Sequence, residues 1–168
     1  MNGFQNAETG NLWIIGYGNR HRRDDGIGPQ VADRLKLRFG GAGGVNMVSL
    51  HQLEPELAED LKESTGVIFI DASQEPLTGG CSFRKVLPVS DMREIVHSLT
   101  AGALLGLTQL IYKRCPPAWM VSVEGSDFGF GEGLSEAAAD NANRATLEIA
   151  RVIRCGLFTT TFIQGLPA

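Results

Sequence analysis

The sequence predicts an α/β protein with three layers, in which a mostly parallel, twisted sheet lies between helices on both faces. Short apolar runs typical of buried strands alternate along the chain with amphipathic segments typical of helices. A chain of 168 residues is long enough to bury the core of one domain. We therefore expect one α/β domain within 1–168, with disordered tails at 1–11 and 157–168.

The first predicted strand and helix are joined by a glycine-containing turn. The apolar run at 13–15 (WII) is typical of a strand buried on both faces. Gly16 and Gly18 follow it and let the backbone turn tightly. Apolar residues then recur every four positions from Ile27 to Leu35, which predicts a helix with one buried face.

The remaining elements follow in chain order. Strands are predicted at 45–50, 67–70 and 119–123, with an added antiparallel edge strand at 81–87. Helices are predicted to start at Pro55, to cover 104–111, and to run from the N-cap Ser135 to a stop at Gly156. The segment 89–100 is predicted as a loop with a helical turn. The glycine-rich segment 125–133 is either a mobile loop over a site or an ordinary connection.

Composition excludes several classes of function. A net charge of −4 argues against a nucleic-acid-binding protein, and the only dense cationic run is RHRR at 20–23. The N-terminal segment lacks the features of a signal peptide, and no apolar run approaches the ~18 residues of a membrane span. The three cysteines are far apart, which fits a reducing cytosol: Cys81, Cys115 and Cys155. We expect a cytoplasmic protein without nucleic-acid or membrane partners.

The glycine turn after the first strand does not fit a nucleotide-binding motif. In a G-x-G-x-x-G pattern the third glycine would stand at position 21, which is His21. The next predicted strand ends in Leu50 and His51 and offers no acidic residue for a ribose. A P-loop pattern is also absent from the sequence.

Two adjacent aspartates stand at the first turn of the first helix. Asp24 is explained by a role at the helix start, where a carboxylate accepts free N–H groups, and we expect Asp24→Asn to cost about 1 kcal/mol or less. Asp25 is harder to explain in this way. It lies at the carboxyl end of a buried strand, where open α/β sheets bind their ligands, and is therefore a candidate functional residue.

Asp71 occupies the corresponding position after the third predicted strand. Because the carboxyl ends of parallel strands meet at one edge of a sheet, Asp25 and Asp71 are expected to be neighbours. His97 is a further candidate ligand on a weaker local pattern. Two carboxylates and an imidazole suit a borderline divalent metal ion with open positions for a substrate. Two close carboxylates that share a proton, as in aspartic peptidases, are the alternative.

The segment 16–28 resembles the signature of the hydrogenase maturation endopeptidases, which reads G-x-G-N, four residues, then D-D/E-G-x-G. The residues that match it in order and spacing are Gly16, Gly18, Asn19, Asp24, Asp25, Gly26 and Gly28. The resemblance continues to about position 153 through VIFIDA with Asp71, VHSLT with His97, and LSEAAADNA after the glycine loop.

This resemblance implies a cytosolic enzyme that removes a short C-terminal extension from the large-subunit precursor of a nickel-iron hydrogenase after nickel insertion. The family's three metal-contacting residues correspond to Asp25, Asp71 and His97. Because the chain lacks a dense ligand motif such as H-E-x-x-H, we expect the nickel to be carried by the precursor, with no organic cofactor.

Two other functions remain open from the sequence. One is a nickel-sensing chaperone or binding module that docks the precursor without cutting it, and the other is an aspartic peptidase or metallopeptidase of unrelated substrate. The run at 20–23 departs from the family, whose members commonly have apolar or small residues there. Either this run partly offsets the charge of the acidic residues and attracts an acidic stretch of the partner, or it is only a solvated face.

Overall fold

The computed structural model describes residues 11–41, 43–91 and 99–154. In chain order the elements are β1 (Leu12–Tyr17), α1 (Ile27–Phe39), β2 (Val45–Leu50), α2 (Leu57–Leu61), β3 (Gly66–Ser73), β4 (Cys81–Val86), α3 (Ala101–Tyr112), β5 (Ala118–Glu124) and α4 (Glu136–Arg154). Short 3₁₀ turns at Arg23–Gly26 and Thr78–Gly80 lead into α1 and β4.

One sheet contains the five strands in the order β2-β1-β3-β5-β4. The strands β2, β1, β3 and β5 are parallel, and β4 pairs antiparallel with β5 at the edge. The chain passes from β1 outward to β2 and then returns to the other side of β1 as β3. The strand order therefore reverses between β1 and β3, and in open α/β sheets a crevice forms at the carboxyl ends of such a pair. The predicted fold class, including the antiparallel edge strand, is confirmed.

Helices cover both faces of the sheet, which gives two separate hydrophobic clusters. On one face α1 and α4 pack on a cluster that includes Ile14, and on the other face α2 and α3 pack on a cluster that includes Ile15. Both isoleucines are fully buried. Because consecutive strand residues point to opposite faces, the apolar run of β1 supplies both clusters.

The N-terminus of α1 lies directly against the ends of two parallel strands. A Cβ atom at Gly28 would stand 2.3 Å from the carbonyl oxygen of Tyr17 in β1 and 2.5 Å from that of Ile70 in β3. Only glycine fits at this point of contact. This glycine brings the first turn of α1 against the carboxyl edge of the sheet at the crevice between β1 and β3.

One predicted helix boundary differs in the structure. The second helix begins at Leu57 and not at Pro55, because the preceding residues form a turn in which Ala58 N donates to Pro55 O over 3.1 Å. The predicted stop at Gly156, most of the segment 89–100 and nearly all of both predicted tails lie outside the described residues. No helix in the described ranges is long and apolar enough to cross a membrane.

We predict that Gly28→Ala lowers the free energy of unfolding by about 3 kcal/mol, because the added methyl group meets two backbone oxygens that cannot move independently of the sheet. Urea denaturation measures the change. The control is Gly41→Ala, where an added Cβ meets nothing within 4 Å and stability should change by less than about 1 kcal/mol. Equal stability of the two variants would contradict the close contact between α1 and the strands.

Candidate functional site

Asp25 is held in the turn that follows β1. The carbonyl oxygen of Asp25 lies only 2.0 Å from the position of a Cβ at Gly18, whose φ of +140° also favours glycine. The backbone N–H of Asn19 donates to Asp25 Oδ2 over 2.8 Å, and Asp25 N donates to Arg22 O over 3.0 Å. Asp25 Oδ1 makes no hydrogen bond within the described part of the chain, so this oxygen is available to a ligand.

Asp71 lies near the carboxyl end of β3 and contacts a residue of the neighbouring strand. Its Oδ1 accepts the backbone N–H of Ala72 over 2.8 Å. The hydroxyl group of Tyr17, the last residue of β1, lies close enough to the Asp71 carboxylate to interact with it. Asp71 is therefore positioned by its own strand and by β1 together.

Burial raises the pKa of Asp71 to about 6. The contacts with Tyr17 and Ala72 act in the opposite direction, and the nearby charge of Asp25 adds to the rise. Burial and the negative charge of Asp71 both raise the pKa of Tyr17, so this hydroxyl group stays protonated and acts as a donor. Asp71 therefore holds a proton more tightly than an ordinary aspartate does, and it lies at the same edge of the sheet as Asp25.

Asp25 and Asp71 thus lie together at the crevice between β1 and β3, near enough for one charge to change the pKa of the other. The third candidate, His97, lies outside the described residues. Within residues 11–41, 43–91 and 99–154, no three or more His, Cys, Asp or Glu side chains are grouped to hold a metal ion. The catalytic and metal-binding roles assigned to Asp25, Asp71 and His97 stay predictions.

Tyr17 was not identified from the sequence as part of this site. An isolated tyrosine at the end of a strand carries no motif, and the signal that places it is the strand register. Gly16 pairs with Ile70, so the next residues along the two parallel strands are Tyr17 and Asp71. Knowledge of which strands are neighbours was needed to find this pair.

The prediction that Asp24 serves the start of the helix was wrong. Asp24 is fully buried, and its side chain makes no cap hydrogen bond to the 3₁₀ turn or to α1. It accepts backbone N–H groups of Ser126 (2.8 Å), Asp127 (2.8 Å) and Ser135 (2.7 Å), and the Ser135 hydroxyl group (2.8 Å). Burial alone would raise the pKa of Asp24, but these hydrogen bonds outweigh it and lower the pKa. We call this set of contacts the Asp24 latch.

Hydrogen bonds therefore hold the glycine-rich loop at 125–133 against the loop that follows β1. Arg23 N donates to Gly131 O, and Gly131 N donates to His21 O, both over 3.0 Å. The guanidinium groups add an ion pair from Arg23 to Asp127 at 3.1 Å and a hydrogen bond from Arg22 to Phe128 O at 3.2 Å. These bonds join the loop after β5 to the loop that carries Asp25.

Part of the cationic run at 20–23 is paired with acceptors inside the protein, and its attraction for an acidic stretch of a partner stays a prediction. Arg20 pairs with Asp33 at 2.6 Å, and Arg23 pairs with Asp127. Since these carboxylates neutralise two of the cations locally, the run serves mainly to hold the two loops and α1 together.

A small pocket lies beside the Asp25 turn, at the carboxyl ends of β1 and β2. Its volume is about 170 Å³, and it is lined by Gly18, Asn19, Arg20, His21, Ser49, Leu50 and His51. Arg20 and His21 also line a larger pocket of about 330 Å³. The loop that carries Asp25 therefore contributes side chains to both pockets.

We predict that Asp24→Asn lowers the free energy of unfolding at pH 7 by about 3 kcal/mol, because an amide cannot accept all four hydrogen bonds and loses the charge that strengthens them. Denaturant unfolding measures the loss. The control is Asp60→Asn, at an exposed aspartate of α2, which should change stability by less than about 0.5 kcal/mol.

The loss caused by Asp24→Asn should also depend on pH. Because the folded-state pKa of Asp24 is lowered, its contribution is present above pH ~4 and disappears as the pH falls through the folded-state value. The difference between wild type and variant should therefore shrink in acid. A difference that stays constant down to pH 2 would contradict an ionised Asp24 latch.

We predict the opposite effect for Asp71. Its folded-state pKa of about 6 exceeds the unfolded value, so the folded protein retains a proton that the unfolded chain releases between about pH 4 and pH 6. Stability falls as the pH rises through this window. Asp71→Asn should therefore be more stable than wild type by about 1–2 kcal/mol at pH 7.5 and equally stable near pH 4. If the variant were less stable than wild type at pH 7.5, the raised pKa of a buried Asp71 would be contradicted.

The fold is that of an open α/β protein, and two acidic side chains, Asp25 and Asp71, lie where its strand order reverses. Several solved structures share this architecture. The crystal structure of the [NiFe] hydrogenase maturation protease HycI from Thermococcus kodakarensis KOD1 superposes with a TM-score of 0.66 at 23% identity, covering 86% of this chain and 92% of that one.

Two further structures come from Escherichia coli. The hydrogenase maturating endopeptidase HybD has a TM-score of 0.64 and 15% identity, covering 87% of this chain and 94% of its own. The solution structure of an endopeptidase has a TM-score of 0.67 and 16% identity, with 88% and 94% covered. No protein-family model and no curated sequence gives a significant match. The chain thus has the fold of the hydrogenase maturation proteases, as the resemblance at 16–28 implies.

Proposed function

We propose that this protein is a hydrogenase maturation endopeptidase of the cytoplasm. It removes the C-terminal extension from the large-subunit precursor of a nickel-iron hydrogenase. The observation that carries this proposal is the pair Asp25 and Asp71 at the crevice, where the charge of one affects the pKa of the other. The fold around this pair is shared with proteins named as hydrogenase maturation proteases or endopeptidases. The signature residues at 16–28 support it, because their glycines hold this turn against the sheet.

Asp25, Asp71 and His97 recognise the nickel ion that the precursor carries. Carboxylate and imidazole groups are suitable nickel ligands. The free Oδ1 of Asp25 and the ionised fraction of Asp71 supply oxygen ligands from one side, while the precursor supplies the others. A resident catalytic ion would need a denser and more rigid ligand set. The nickel ion therefore identifies a precursor that has already received its nickel, and it positions the scissile peptide at the enzyme.

An aspartic mechanism is the second candidate, and one observation favours it. Asp71 has a pKa of about 6 and lies near enough to Asp25 to feel its charge, as expected of two carboxylates that share a proton. In that case one carboxylate accepts a proton from water while the other donates one to the peptide. Tyr17 positions Asp71 in both mechanisms.

The proposal predicts that wild type cleaves nickel-loaded precursor and leaves nickel-free precursor intact. Mass spectrometry of the precursor before and after incubation detects the released C-terminal peptide. Asp25→Asn, Asp71→Asn and His97→Ala should each reduce cleavage at least about 100-fold while the variants stay folded by circular dichroism. Asp60→Asn, at an exposed aspartate of α2 away from this edge, is the matched control and should keep full activity.

Three other outcomes separate the alternatives. Equal cleavage of both precursors would reject nickel as the recognition element and leave the aspartic mechanism. Stable binding of nickel-loaded precursor with no release of a peptide would identify a chaperone. Failure to bind or cleave any hydrogenase precursor would reject the proposal.

A further inference from the structure

A row of polar side chains extends from the crevice across the sheet to its antiparallel edge. Asp71 pairs with Ser122 of β5, and Ser122 pairs with Ser82 of β4. Because paired residues of neighbouring strands point to the same face of a sheet, these three side chains share one face. Tyr17 begins the row, since it stands beside Asp71 in the register of β1 and β3. We call these four residues the polar row.

The side chains at the β4 end of the polar row are accessible and unpaired. Ser122 and Ser82 are partly exposed, and neither hydroxyl group has a hydrogen-bond partner among the described residues. Arg84 lies two positions beyond Ser82 in β4, on the same face, and is exposed. Within residues 11–41, 43–91 and 99–154 its guanidinium group makes no hydrogen bond or ion pair. These groups are therefore available to a ligand.

Arg84 lies near enough to the crevice for its charge to act there. Burial and the charge of Asp71 raise the pKa of Tyr17, and the positive charge of Arg84 lowers it. Since neighbouring strands lie about 4.8 Å apart, two strand spacings place Ser82 roughly 10 Å from Asp71. The polar row is thus a continuous path between the acidic crevice and the cation of β4.

Opposite charges lie at the two ends of this path. Asp25 and Asp71 supply carboxylates at the crevice, whereas Arg84 supplies an unpaired guanidinium group at the far end. A ligand with a cation at one end and a carboxylate at the other fits in one orientation only, because reversal would bring like charges together. The planar guanidinium group matches the two oxygens of a carboxylate. The serine hydroxyl groups can hydrogen-bond the backbone of an extended segment between them.

We infer that Arg84 is a specificity-determining residue that binds an acidic side chain of the precursor, with the intervening backbone along the polar row. This inference rests on the proposed function for the identity of the partner. An extended chain advances about 3.3 Å per residue, so this side chain stands roughly three residues from the residue held at Asp71. A terminal carboxylate would fit only an extension of that length, whereas an aspartate or glutamate side chain fits an extension of any length.

The first test compares Arg84→Gln with Lys85→Gln. Both residues are exposed cations of β4, but Lys85 points to the opposite face, on which Phe83 packs against the cluster under α1 and α4. With nickel-loaded precursor at low salt, Arg84→Gln should raise KM about fivefold and change kcat less than twofold. The rise should shrink at high salt. Lys85→Gln should change neither constant. An unchanged KM for Arg84→Gln, or an equal rise for both variants, overturns the inference.

A second experiment identifies the acidic side chain. Each aspartate and glutamate near the cleavage site of the precursor is replaced by its amide. At one position this change should raise KM about fivefold for wild type and leave KM unaltered for Arg84→Gln, because that variant has already lost the ion pair. Additive effects at every acidic position overturn the inference. Coupling of Arg84 only to the C-terminal carboxylate, detected by adding two glycines to the end of the precursor, also overturns the assignment to a side chain.

A binding measurement separates this inference from the proposed function. Calorimetric titration gives the dissociation constant of nickel-loaded precursor for wild type, Arg84→Gln and Lys85→Gln. Weaker binding by Arg84→Gln alone, with no release of a peptide by any of the three, supports the role of Arg84 and rejects the peptidase. Cleavage by all three proteins with equal dissociation constants rejects the role of Arg84 and leaves the peptidase. A lower unfolding midpoint of Arg84→Gln with unaltered binding would identify a purely structural residue and overturn the inference.

Discussion

The buried carboxylate of Asp24 is the interaction on which the geometry of the candidate site depends. It joins the turn after β1 to the loop after β5, and so it connects two segments that the sheet alone would leave independent. An ionised group without solvent contact is unfavourable unless its oxygens are fully hydrogen-bonded. The loop after β5 supplies the donors, and its backbone is held in one conformation as a result. Because Asp25 is the next residue in the chain, the contacts that fix Asp24 also fix the backbone position of Asp25.

Asp24 and Asp25 show how environment separates two identical adjacent side chains. Asp24 points into the protein and uses both oxygens on internal donors, whereas Asp25 points to the edge of the sheet and keeps one oxygen free. The first therefore maintains structure, and the second is available for chemistry. Asp71 completes the contrast, because its burial is only partly compensated and its pKa rises.

The sequence was sufficient for features that depend on local periodicity and on strand ends. The apolar runs predicted the parallel strands, alternation predicted the edge strand β4, and the rule that parallel strands end at one edge predicted that Asp25 and Asp71 lie at the same edge. It was insufficient where partners are distant in the chain. The donors to Asp24 lie more than 100 positions away, so the sequence favoured a local cap over the long-range contacts that the structure shows. Tyr17 and the ion pairs of the cationic run were missed for the same reason.

The raised pKa of Asp71 and the exposed ring of Phe130 are unfavourable features beside the Asp24 latch. Burial of an ionised carboxylate and exposure of a large aromatic ring each lower the stability of the free protein. Asp71 lies near the carboxyl end of β3, and Phe130 lies on the loop that the latch holds. Rigid support beneath such features is expected where a surface must be complementary to a partner and not to itself. The compensating interactions, the latch and the Gly28 contact, are internal and therefore remain in place when a partner binds.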